Sequence, residues 1–324
     1  MSMSLEARDE RAPVERLPHP RVAPARPAPG QPVPRQRTPR EDAVRGGTRA
    51  LLAVFVVFTL LAVNQLLVLG AHTDRWFAWP IAGRANSAFL GAAYGAGTVL
   101  SVLALRRARW SDIRVAVVTV TAFTVLTLVP TLAHRHVLSL MAPGAVARLA
   151  AWVWLAVYVV VPVAGMFVIV RQGRARPRPE PVRRPMPAAL VAVLLTQGVV
   201  LSVAGAVLYA GGWGTHVSIA VARPGWPWPI TPLTSQVVGA WLLSFGVAVV
   251  FAVRERDLGR MLVPAVAYAA FGVVELAVLL WHRGAPGTDP LWLWVDVAVL
   301  ATLVPVGVYG ARAALSHPAV PGAS

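Results

Sequence analysis

The sequence predicts an all-α membrane protein with eight transmembrane helices built as two parallel four-helix repeats. Three observations predict it. The 324 residues are 56% hydrophobic and 14% charged, with a mean hydropathy of +0.62, far from the ~45–50% apolar and ~25% charged of soluble domains. The apolar residues gather into long runs almost free of charge, as membrane spans do. Finally, the tripeptide Trp79-Pro80-Ile81 returns as Trp228-Pro229-Ile230, followed in both places by a matching helical hairpin.

Residues 1–48, with nine Pro, nine Arg and six acids, are too polar to offset ordering entropy and are expected to form a disordered cytoplasmic tail. The first apolar run begins only near Leu51 and has the length of a span, which argues against a cleaved signal peptide. Spans are predicted at 50–70, 83–105, 113–132, 147–170, 188–210, 233–253, 262–282 and 291–311. Each has about the 20 residues that cross ~30 Å of hydrocarbon as a helix. The first repeat is placed at 49–170 and the second at 188–313, with a cytoplasmic linker at 171–187 and a tail at 314–324.

Arginine tests this threading. All 30 basic residues are Arg. Ten lie in the N-terminal segment through Arg49, four at 106–114, six at 171–187, three at 254–260, and Arg312 in the last segment. The alternate loops hold six. A 24-to-6 split in strict alternation follows the positive-inside rule and puts both termini in the cytoplasm of a plasma-membrane protein. The net charge of +16 is thereby explained by the bilayer, and no nucleic-acid partner is expected.

The duplication runs through most of the chain. Beyond the tripeptide the offset settles at 148, matching Gly91 to Gly239, Arg106 to Arg254 and His134-Arg135 to His282-Arg283. The fourth spans share Trp152-Val153-Trp154 and Trp292-Leu293-Trp294, each followed by Val-Pro-Val. Four spans per unit is even, so both units insert with the same orientation and the symmetry axis runs along the membrane normal. If Gln65 corresponds to Gln197, the stretch reaching the tripeptide is 17 residues longer in the second half.

Phe77-Ala78-Trp79-Pro80-Ile81, followed by Ala88-Phe89-Leu90-Gly91-Ala92-Ala93-Tyr94, resembles a pattern in uncharacterised actinobacterial and related multi-pass membrane proteins. The resemblance covers the first two spans and, more loosely, their second copy. It implies an integral membrane protein with no assigned activity, and it carries over no catalytic residues.

Composition removes several chemistries. Without Lys there is no Walker-A lysine and no Schiff base; without Cys there is no disulfide, thiolate nucleophile or iron–sulfur cluster. Five histidines fall on the outer side (His72, His134, His136, His216 and His282), but no spaced ligand set accompanies them, so neither metal nor haem is expected. No cofactor and no catalytic residue is assigned, and an enzyme acting on lipid-linked substrates lacks any supporting motif.

The candidate binding residues are Glu275, Asp296, His282, Trp79 and Trp228. Glu275 lies seven residues before His282, roughly 10 Å inside the outer end of its helix, and Asp296 lies six after Pro290, roughly 9 Å inside. Their repeat counterparts, Thr127 and about Ala156, are uncharged. An intramembrane acid is a functional candidate by default, and with His282 on nearly the same helix face the group could relay protons or hold a cation. The other reading makes the acids structural, bonded to neighbouring side chains. Trp76, Trp79, Trp226 and Trp228 read either as anchors at the headgroup level or as the wall of an outward pocket. Thr231-Pro232 offers a helix start, and Gly91-x-x-x-Gly95 a close-packing face.

These features admit a small-solute or ion/proton-coupled transporter with an outward-facing site. The alternative is an envelope binding or scaffold protein whose basic N-terminal tail engages a cytoplasmic partner.

Overall fold

The computed structural model describes residues 43–174, 182, 184–213 and 219–316. The expected tail through residue 42, much of the linker, Gly214, His216 and the last eight residues lie outside the described part.

Eight helices are long and apolar enough to cross a membrane: α1 (Gly46–Val68), α2 (Arg84–Leu105), α3 (Arg114–Ala133), α4 (Ala145–Arg174), α5 (Ala188–Gly211), α6 (Pro232–Glu255), α7 (Leu262–Trp281) and α8 (Pro290–Leu315). Each begins and ends within four residues of the run that predicts it. The protein is an all-α integral membrane protein.

The helices divide into inner and outer sets. Half or more of each core window is buried in α2, α3, α6 and α7, against 22–33% in α1, α4, α5 and α8. The outer helices turn residues such as Val163, Phe167, Val203 and Leu291 outward, as lipid requires. Within the bundle α1 packs on α2, α3 on α4, α5 on α6 and α7 on α8, while α2 packs on α7 and α3 on α6.

Small residues let backbones approach where these pairs meet. A Cβ at Gly239 would fall 2.6 Å from the carbonyl oxygen of Gly205 and 2.8 Å from the Tyr209 nitrogen. At Gly91 it would sit 3.0 Å from the Leu67 nitrogen, beside a π-helical turn at Asn64–Val68 that closes α1. The small-residue face of α2 thus serves packing inside one chain. Several buried hydroxyls satisfy themselves on the preceding turn, as Thr119 does on Val115, Thr121 on Val117 and Ser244 on Ala240. Polar side chains are tolerated in lipid for that reason.

Interhelical loops are tied down at both ends. At the end carrying the arginine-rich loops (the basic end), the Val44 nitrogen donates to Ala108 and the Met186 nitrogen to Arg256. At the opposite end the Ser139 nitrogen donates to Ala78 and the Asp289 nitrogen to Pro227, docking each last loop on a Trp-Pro-Ile segment. Asp289 also caps α8, accepting from the nitrogens of Leu291 and Trp292. Pro232 opens α6 as its sequence suggests, but the Thr231 hydroxyl donates to Thr234 rather than accepting from a helix nitrogen.

Candidate functional site

The aromatic segments are not lipid anchors alone. Trp79, Trp226 and Trp228 are buried, and of the four tryptophans only Trp76 is exposed. The reason is long-range: each segment reaches across to the inner helix of the other half. Trp79 packs 4.7 Å from both Phe77 and Trp154 and donates its indole N–H to Thr234 of α6 at 3.1 Å. Trp226 donates to the Asn86 carbonyl of α2 at 2.8 Å, and the Asn86 amide donates to Pro229. Trp228 lies edge-on to Trp226 and to His282, and its own indole N–H has no partner.

Glu275 sits on the buried stripe of α7 formed by Tyr268, Phe271, Gly272 and Leu279, spaced three and four residues apart. It is 0% exposed, and neither carboxyl oxygen has a hydrogen-bond partner. Its surroundings are aromatic one turn inward, where Phe271 meets Phe89, which in turn meets Trp226. Asp296 is half-buried on α8. The helix register, set by Gly272 against Leu300 and Leu303 and by Gly307 against Ala265 and Ala269, puts Asp296 about one turn, ~5 Å, farther out than Glu275. The half-buried His282 spends Nδ1 on the carbonyl of Val278. The three candidate groups therefore form an outward row along the α7–α8 seam, with no hydrogen bond or ion pair joining them. No family model, curated protein or solved structure matches this chain.

Among the described residues no three His, Asp or Glu side chains gather closely enough to share a metal ion. The tightest cluster of charge is elsewhere, at the basic end. There Glu255, the last residue of α6, accepts from Arg260 at 2.7 Å and from Arg114, the first residue of α3, while Arg260 also pairs with Asp257 at 3.5 Å. Sequence reasoning treated these arginines only as orientation signals. The Asp257–Arg260 spacing, which recurs with reversed sign as Arg109–Asp112 at an offset of 148 residues, is the signal that marks them as partners.

Two further polar contacts hold helices together inside the bundle. The Tyr94 and Tyr158 hydroxyls meet at 2.7 Å, joining α2 to α4. Gln197 donates to Thr302 and accepts from Tyr268, joining α5 to α7 and α8. Gln197 is thus a brace, with no free polar atom to offer a ligand.

Proposed function

We propose that the protein is a proton-linked carrier of small solutes, with the Glu275 carboxyl as its proton site, reached from the end opposite the arginine-rich loops. The observation that carries this reading is Glu275 itself, wholly enclosed with both oxygens unbonded. An ionised carboxylate so placed costs far more than a neutral acid. A bound cation would need several further oxygen or nitrogen ligands, and among the described residues no three acids or imidazoles gather to supply them. Glu275 therefore holds a proton in this conformation, and losing it requires the surroundings to open. A group whose charge depends on conformation is what couples proton movement to alternating access. Asp296 and His282, farther out and half-buried, supply steps between Glu275 and water.

The tandem-repeat reading supports the same function. The hydrogen bonds fall into matched pairs: Val44 to Ala108 with Met186 to Arg256, Ser87 to Leu66 with Ser235 to Leu208, and Ser139 to Ala78 with Asp289 to Pro227. Interchanging the halves turns the α2–α7 contact into the α6–α3 contact, as a two-fold along the membrane normal demands. Within α1 and α5 these pairs keep a constant offset of 142, which aligns Gln197 with Phe55 rather than with Gln65. The insertion before the second tripeptide then shrinks from 17 residues to seven. At the position matching Glu275 stands Thr127, also buried and without a partner. One half carries the titrating group and the other its neutral copy, the asymmetry a single-proton carrier needs. The arginine split assigns the basic end to the cytoplasm.

The test is proton uptake into proteoliposomes under an imposed pH step, read by a trapped pH dye, together with the infrared band of a protonated carboxylic acid. Wild type should show both, and Glu275→Gln should lose both. A wild-type protein lacking the acid band, or Glu275→Gln moving protons at the wild-type rate, overturns the reading.

A further inference from the structure

We propose that a cleft in the second half, open at the basic end, holds an acyl chain of an anionic phospholipid. The inference is independent of the carrier reading. The cleft is open on one side, spans about 740 Å³ counting the space outside its mouth, and is bounded by α5, α6, α7 and α8, with α2 and α3 behind. Its wall is hydrocarbon from residues such as Leu194, Ala248, Val249, Pro264 and Val306. Two polar groups that reach it are already engaged: the Thr119 hydroxyl on Val115 and the Tyr268 hydroxyl on Gln197. Of the polar groups on the lining residues, the Trp241 indole N–H is buried and without a partner. A polar solute would find a single indole N–H to exchange for its hydration, whereas a hydrocarbon chain would lose only other lipid.

Geometry gives the direction of insertion. α5 and α8 touch little, and the Gln197–Thr302 bridge closes the gap between them toward the bundle's middle. The lining runs from Leu190, Met261 and Gly310 near the basic end inward to Trp241 at the middle of α6, so a chain that enters at the basic end has its tip toward the bundle's middle. Charge complementarity gives the headgroup. Arg256 stands one turn beyond Ala252 and Arg312 two residues beyond Gly310, and both are exposed. Arg256 adopts a left-handed backbone, φ 50°, that turns the chain just after α6. The acids nearest in sequence, Glu255 and Asp257, are buried and spent on Arg114 and Arg260, so the exposed rim is positive. A guanidinium near an anionic headgroup strengthens binding about fivefold, and two such groups roughly 30-fold.

Native mass spectrometry of the full chain in detergent, titrated with phosphatidylglycerol and with phosphatidylcholine, measures this. Wild type should favour phosphatidylglycerol by roughly 30-fold, and the double variant Arg256→Gln/Arg312→Gln should bind both lipids alike. Ala248→Trp, which fills the cleft, should lower occupancy by both lipids at least about tenfold, the loss of some 1.4 kcal/mol. As a check that needs no cleft-filling variant, brominated-chain phosphatidylglycerol should quench fluorescence in wild type more than in Trp241→Phe. Equal binding of the two lipids by wild type, a double variant that keeps the preference, or quenching that ignores Trp241 overturns the proposal. So does uncharged diacylglycerol displacing phosphatidylglycerol on equal terms, because the anionic headgroup would then contribute nothing.

Discussion

Glu255→Gln removes one negative charge from the basic end while preserving shape. Arg260, whose side chain is 9% exposed, would keep Asp257 at 3.5 Å but lose its 2.7 Å partner, and Arg114 would lose its link from α3 to α6. Breaking a buried pair costs about 3–5 kcal/mol when the surviving charge is stranded. With Asp257 remaining, and Arg114 able to turn toward water, we expect about 2–3 kcal/mol. At roughly 2–4 °C per kcal/mol for a domain of comparable size, the melting temperature should fall by about 5–10 °C. The chain contains its own control. Arg109 and Asp112 have the same spacing one repeat earlier, but Arg109 is 53% exposed and the pair is 3.9 Å apart. Exposed pairs contribute ~0–1 kcal/mol, so Arg109→Gln should shift the midpoint by less than about 3 °C. Thermal unfolding of both variants in one detergent, followed by tryptophan fluorescence, decides the matter. If Glu255→Gln melts no earlier than Arg109→Gln, burial is not what gives the network its strength and the reasoning fails.

Three further outcomes follow from the packing. Gly239→Ala, whose Cβ would press on backbone of α5, should destabilise by about 1–3 kcal/mol, whereas Gly95→Ala, with its nearest neighbour at 3.9 Å, should leave the melting temperature unchanged. Trp79→Phe should cost about 1 kcal/mol more than Trp228→Phe in the same assay, because only the first loses a hydrogen bond. Glu275→Leu should match or exceed wild-type thermal stability, since an apolar group replaces an unbonded polar one, while abolishing proton uptake; a marked loss of stability would mean that the carboxyl has a partner after all.

The spans were legible to within about a turn because hydropathy alone sets them, and Thr231-Pro232 marked the start of α6, whereas the Asp289 cap of α8 came only with the structure. Which helices lie inside was not legible from apolarity. The innermost helix, α2, has the lowest hydropathy of the eight, and its place is won by Gly and Ala that admit close neighbours. The depth of Glu275 and Asp296 could be counted from the helix ends, but their offset along the seam depends on the α7–α8 register, which Gly272 and Gly307 set through contacts remote in sequence. The tryptophans misled for the same reason. An amphipathic ring near a helix end reads as a headgroup anchor, and only the opposite half of the chain, through Thr234 and Asn86, explains why Trp79 and Trp226 are buried.

That crosswise bonding bears on how the polypeptide is made. Thr234 receives the Trp79 indole and the Asn86 side-chain oxygen receives the Trp226 indole, so that oxygen waits for its partner, while the Asn86 amide nitrogen already holds Ala82, until some 140 more residues have been synthesised. Through that interval the oxygen, two residues inside the start of its helix, has only water at the membrane surface to pair with, and the first half closes fully once the second arrives.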